Sequence, residues 1–139
     1  MIKYLGVIFF TLILQISQIQ AQDKKLDTIK LEQEGPELTL VESTFDFGDI
    51  TQGDQVKHTF AITNSGTTPL VLTNVLTTCG CTAPSYTTDP IMPNQKGEIE
   101  IAFDSRGKAG IQNKIITIIS NAITPQQKIK ITANVLPKN

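Results

Sequence analysis

Tryptophan is absent from the 139 residues, histidine occurs once, at His58, and cysteine twice, at Cys79 and Cys81. One histidine excludes a multi-histidine metal centre. Two cysteines with one residue between them cannot staple distant parts of a chain, so no disulfide framework holds the fold. Aromatic residues make up only 6% of the chain, too few for a broad stacking platform for sugars or bases. An excess of either charge is missing too: 12 Lys+Arg stand against 13 Asp+Glu, a formal net charge of −1. A nucleic-acid binder or a polybasic membrane-surface protein carries a basic excess, so neither partner is expected. There is no P-loop, no dinucleotide glycine fingerprint and no Gly-x-Ser-x-Gly elbow. The length suits one domain.

What is present begins with a leader. Lys3 supplies a positive charge, and Tyr4 to Leu14 is an apolar run too short to span a bilayer comfortably. Ile19-Gln20-Ala21 then offers a small residue at a cleavage point. Residues 1–21 therefore read as a secretory signal peptide cut near Ala21, with an uncleaved anchor as the alternative. No cysteine lies near that point to carry a lipid, and no second apolar run of spanning length follows. The expectation is an exported protein, periplasmic or secreted, with no membrane span after cleavage. Residues 22–36 are charged and read as a linker ending at Gly35-Pro36.

From Glu37 to the end, residues 37–139, the pattern has period two. Leu38–Val41 and Phe45–Ile50 begin it, the second turning at Gly48. Val56, His58, Phe60 and Ile62 alternate with Lys57, Thr59, Ala61 and Thr63, as in a half-buried strand. Leu70–Leu76 follows, with Cys79–Ala83 continuing or succeeding it. Ile99, Ile101 and Phe103 alternate with charged or small neighbours. Lys114–Ser120 is almost continuously apolar and β-branched, which predicts a central strand. Ile129, Ile131, Ala133 and Val135 close the series. About seven short antiparallel strands and no helix predict an all-β, immunoglobulin-like sandwich. The antibody cross-sheet disulfide and its tryptophan are missing.

Three stretches in order resemble a known family: Phe45-Asp46-Phe47-Gly48-Asp49-Ile50, then Cys79-Gly80-Cys81-Thr82, then Pro90-Ile91-Met92-Pro93 leading into Gly97-Glu98-Ile99. Together with the leader they are similar to domain-of-unknown-function 1573, an exported bacterial family. The resemblance covers roughly residues 37 to 135. It implies an immunoglobulin-like sandwich of the major-sperm-protein and Hydin type, and no established activity. Asn94 stands where the family often has glycine, and asparagine tolerates the left-handed conformation such a turn needs.

Cys79-Gly80-Cys81 is the constellation with chemical promise. In an extended strand these two residues share a face with Cα atoms about 6.6–7.2 Å apart. Disulfides want roughly 4.4–6.8 Å, so a bond here needs a bend, which Gly80 permits. Three readings stand. The pair shapes a turn as a small disulfide or as two thiols. It is a labile redox pair, although no Lys, Arg or His lies within ten residues on either side. Or it is a soft-metal site for copper or zinc, with His58 as a third ligand. Met92 is a further soft donor.

Other polar residues read as structural. Asp46 and Asp49 flank Gly48 at a spacing that fits no calcium loop. Arg106, the sole arginine, sits in a basic turn. Two functional readings lead, with a hydrolase as a third. The first is an exported, non-enzymatic binding module without a cofactor, which contacts an envelope protein or glycan through loop 79–94 and turn 104–110. The second is a metal-handling or thiol-redox protein acting through Cys79 and Cys81.

Overall fold

The computed structural model describes residues 34–139; the expected leader and most of the expected linker lie outside them. Eight strands form: β1 (Leu38–Leu40), β2 (Thr44–Thr51), β3 (Gln55–Asn64), β4 (Leu72–Thr77), β5 (Thr82–Tyr86), β6 (Lys96–Asp104), β7 (Gly110–Ser120) and β8 (Gln126–Leu136). They make two four-stranded sheets, ordered β1-β3-β6-β5 and β2-β8-β7-β4. Among the described residues no helix is long and apolar enough to cross a membrane.

The alternation of the sequence becomes the inside of the sandwich. Phe60 and Ile62 of β3 and Ile99, Ile101 and Phe103 of β6 face Ile116 and Ile118 of β7 and Ile129, Ile131 and Val135 of β8, all at most 2% exposed. Each such side chain contributes about 1.5–3 kcal/mol by leaving water. β7 is the central strand that its apolar run predicts, lying between β8 and β4.

Two expectations are corrected. The sandwich is not wholly antiparallel: β2 pairs with β8 in parallel, Phe45 opposite Ile131 and Ile50 opposite Val135. The chain leaves the first sheet after β1, crosses at residues 41–43 and joins the second sheet without reversing direction. Parallel neighbours need a long connection, and here the rest of the domain supplies it. Gly48, at φ 68°, does not end this strand; the register shift between Asp46 and Asp49 absorbs it as a bulge. The second correction is the strand count. Thr82-Ala83-Pro84-Ser85-Tyr86 is an eighth strand inside what reads as loop 79–94. Proline and small residues hide it from an apolar pattern, and proline is tolerated because β5 is an edge.

Polar side chains fasten the ends. Asn64 is fully buried at the end of β3, and its amide uses every valence. Nδ2 donates to the carbonyls of Thr68 and Ile91, each at 2.8 Å, and Oδ1 accepts from the amides of Glu37 and Gly66. Gly66 lies against the backbone of Gly35 and Pro36, and a Cβ there would strike the Gly35 carbonyl. Gly35 is itself buried, and its amide donates to Thr67 Oγ1 at 3.1 Å. At the other end the buried Ser105 hydroxyl accepts from Gly53 N and lies 2.9 Å from the Thr51 and Asp54 carbonyls.

Candidate functional site

β4 belongs to one sheet and β5 to the other, so the chain must change sheets between Thr77 and Thr82. The two cysteines sit in that crossing. Gly80 bends it, and the Cα atoms of Cys79 and Cys81 come to 5.3 Å, within disulfide reach; the two sulfurs are bonded. Thr77 Oγ1 caps the crossing, with the carbonyls of Cys79 and Thr82 at 3.2 and 3.3 Å. The amide of Asp104 donates to the Cys81 carbonyl at 2.9 Å and ties the crossing to the end of β6.

The surroundings of the two sulfurs differ. Cys81 packs against the core on one side and lines a cleft of about 250 Å³ on the other. That cleft lies on the outer face of the first sheet, where Gly80, Ala83 and Ala102 leave little side chain to fill it. Lys57 and Asp104 stand at its rim. Cys79 does not line the cleft. Its sulfur lies 3.6 Å from Thr82 Oγ1, and a disulfide sulfur has no proton, so the threonine hydroxyl donates. Thr82 is 5% exposed, and its hydroxyl is aimed at a weak acceptor.

His58 stands in a different constellation. Its imidazole stacks on Phe45, with centroids 3.5 Å apart and planes at 7°, and meets Phe60 edge-on. Nε2 is 2.6 Å from Glu42 Oε1. Along β3 it projects opposite to Lys57, which is the residue that shares the cleft with Cys81. Met92 is 53% exposed on the loop before β6. Among the described residues no three His, Cys, Asp or Glu side chains gather as they would around a metal ion.

The remaining polar candidates hold local structure. Asp46 Oδ1 accepts from Gly48 N at 2.9 Å; that bond, then one with the Thr132 side chain, keeps its carboxyl below the ordinary range. Asp49 accepts from Asn134 Nδ2 at 2.9 Å across the β2–β8 pair. Arg106 folds onto Asp104 through Nε, at 2.7 Å, and Nη2. The guanidinium bonds, then the Arg106 amide, lower the Asp104 pKa to about 2.

Sequence reading missed Lys57 and Thr82. Lys57 shares the cleft with Cys81 only through the β3–β6–β5 register, Lys57 opposite Ala102 and Ala102 opposite Ala83. Thr82 belongs to the Cys-Gly-Cys-Thr motif itself, and only its inward side chain gives it a role.

Two packed sheets, with a first strand on one and its continuation on the other, define an immunoglobulin-like sandwich. The structure is similar to one from Porphyromonas gingivalis W83, a protein of unknown function, with 25% identity and a TM-score of 0.64. The match covers 73% of this chain and 47% of that one, so the chain spans about half of that protein's length. It is also similar to the PapD-like domain 7 of human CEP192, at 10% identity and a TM-score of 0.62, covering 74% and 87% of the two chains. The Pseudomonas aeruginosa CupB2 chaperone is a third, at 12% identity and a TM-score of 0.54, covering 70% and 55%. The last two likenesses are ones of fold. No curated protein matches the sequence. Residues 38–135 match DUF1573, described as a protein of unknown function, and the chain belongs to that family.

Proposed function

We propose that this protein is an exported, non-enzymatic module that binds an extended segment of an envelope or extracellular protein along the edge of β3. One observation carries this reading. β6 pairs with β3 from Gln55 to Thr63, but β1 covers only Ile62 to Asn64 on the other side. The chain then crosses to the second sheet, and on that side the Gln55–Phe60 stretch has no neighbouring strand among the described residues.

Backbone direction follows from the bonds on either side. The Ala61 carbonyl accepts from Val41 N toward β1, whereas Asn64 N donates to Gln95 O toward β6. By alternation the N–H and C=O groups of Lys57 and Thr59 point out of the open edge. Such an edge is a template for strand addition. The other sheet edges are blunted: β1 by its three-residue length, β5 by Pro84, β2 by its bulge, and β4 by a register shift between Leu72 and Asn74.

The test is capture from an envelope extract on the immobilised protein, followed by hydrogen exchange of the complex. The amides of Lys57 and Thr59 should exchange quickly in the free protein and slow down in the complex. Thr59→Pro removes an outward donor and no ladder bond, so it should abolish capture while leaving the circular dichroism spectrum unchanged. Capture that persists in Thr59→Pro, with unprotected amides, rules this reading out.

A further inference from the structure

We infer that the Cys79–Cys81 disulfide is a thiol–disulfide exchange site, attacked at Cys81 from the cleft and opened toward Cys79. The inference does not rest on the strand-edge reading. It stands on three features of the crossing between β4 and β5.

The first is access. Cys81 lines the open cleft, and a Cβ placed on Gly80 would meet nothing within 4 Å. Gly80 therefore places no side chain between the cleft and its neighbour Cys81. Cys79 is half-buried like Cys81 but lies outside the cleft lining, and its sulfur faces Thr82 instead.

The second feature is the leaving group. Exchange is faster when the departing thiolate is stabilised. The Thr82 hydroxyl, 5% exposed and 3.6 Å from the Cys79 sulfur, donates to that atom already. When the bond opens, this weak contact becomes a hydrogen bond to a full negative charge, the stronger kind.

The third feature is charge. No cation lies near the pair in sequence, but the fold brings Lys57 to the rim of the same cleft, where it also pairs with Glu100 at 3.0 Å. Asp104 stands at that rim too, but its carboxylate is engaged by Arg106, so the Lys57 ammonium is the charge that favours a thiolate over a neutral thiol.

The step balances within the two reactants. A thiolate RS⁻ bonds to Cys81 Sγ, the Cys79–Cys81 bond breaks, and its electron pair leaves on Cys79 as a thiolate. A second RS⁻ then attacks the RS sulfur of the mixed disulfide and frees Cys81. Together the two steps reduce the cystine to a dithiol and oxidise two thiols to RS–SR. One residue separates the cysteines, so the reduced pair stays in register for reoxidation by an external disulfide. The recognised chemistry is an accessible thiolate, carried by a small molecule or by a polypeptide.

The experiment uses the purified oxidised protein, incubated with millimolar glutathione or with an uncharged cysteine-containing peptide. Samples are acid-quenched, alkylated and read by intact mass and peptide mapping. The expected product is a mixed disulfide on Cys81 with Cys79 alkylated. Thr82→Val should slow its formation about tenfold, the effect of losing one hydrogen bond to a charged group, and Thr82→Ser should restore it. Lys57→Gln should slow it about two- to fivefold. Faster reaction with glutathione assigns the site to small anionic thiols, and faster reaction with the peptide to polypeptide thiols. A cystine that survives both thiols overturns the inference. So does an adduct that maps to Cys79, a readout that needs no variant.

Discussion

The ring of His58 lies flat on the ring of Phe45, with centroids 3.5 Å apart. Phe45 is on β2 and His58 on β3, so the stack joins the two sheets. Glu42, on the crossing between β1 and β2, holds the same imidazole through Nε2. The sole histidine thus clasps the place where the chain changes sheets.

Breaking that clasp has a measurable signature. His58→Ala and Phe45→Ala should each lower stability, and together they should cost less than the sum of the two. The coupling expected for a stacked pair is about 0.5–1.5 kcal/mol, read from urea unfolding of the two single variants and the double. Strict additivity would show that the rings do not support one another.

Asn64 is the polar keystone of the opposite end. Asn64→Leu removes four hydrogen bonds and takes their side-chain partner from the Thr68 carbonyl and the Glu37 and Gly66 amides, while the Ile91 carbonyl keeps only its bond from Leu70 N. The expected loss is about 3 kcal/mol or more, because each deprived buried group carries its own desolvation cost. A urea midpoint close to that of the parent protein would contradict this role.

Removing the cystine should matter far less to folding. A cross-link that closes a ring of only three residues restrains the unfolded chain little, about 1.6 kcal/mol on the chain-entropy relation. Serine at both positions should give a folded domain with a modestly lower midpoint. Collapse of the fold would mean that the crossing depends on its sulfur bridge.

Asp104 offers a titration. Its folded pKa is about 2, below the ordinary aspartate value, because Arg106 and its amide bond the carboxylate. A lowered folded pKa contributes stability above the ordinary carboxylate range, and that contribution is lost as pH falls through about 2. Carboxyl NMR should show Asp104 still ionised at pH 3, and Arg106→Gln should move its midpoint up toward the ordinary value.

The sandwich was legible because its strands bury alternate side chains: Val56 to Ile62, Ile99 to Phe103 and Ile129 to Val135 show this directly. β5 was not, since Pro84 and Ala83 belong to an edge strand that buries little. The parallel register of β2 on β8 escaped too, because alternation reports which face is buried and not which strand lies alongside. At the site, a cysteine pair near bonding distance and the need for a bend at Gly80 were both readable. The roles of Lys57 and Thr82 were not. The first depends on the register of three strands and the second on which way one side chain points.

The pairing of β2 with β8 also sets an order of events. Asn134 reaches Asp49 across 85 residues, and Gln127 reaches the Leu38 carbonyl across 89. A chain delivered N-terminus first presents β2 long before its neighbour exists. The second sheet therefore closes only when the last strand arrives, and until then the newborn domain exposes the apolar face that β8 will cover. A nascent form lacking its final eleven-residue strand would be a substrate for holding factors and proteases rather than a smaller working domain.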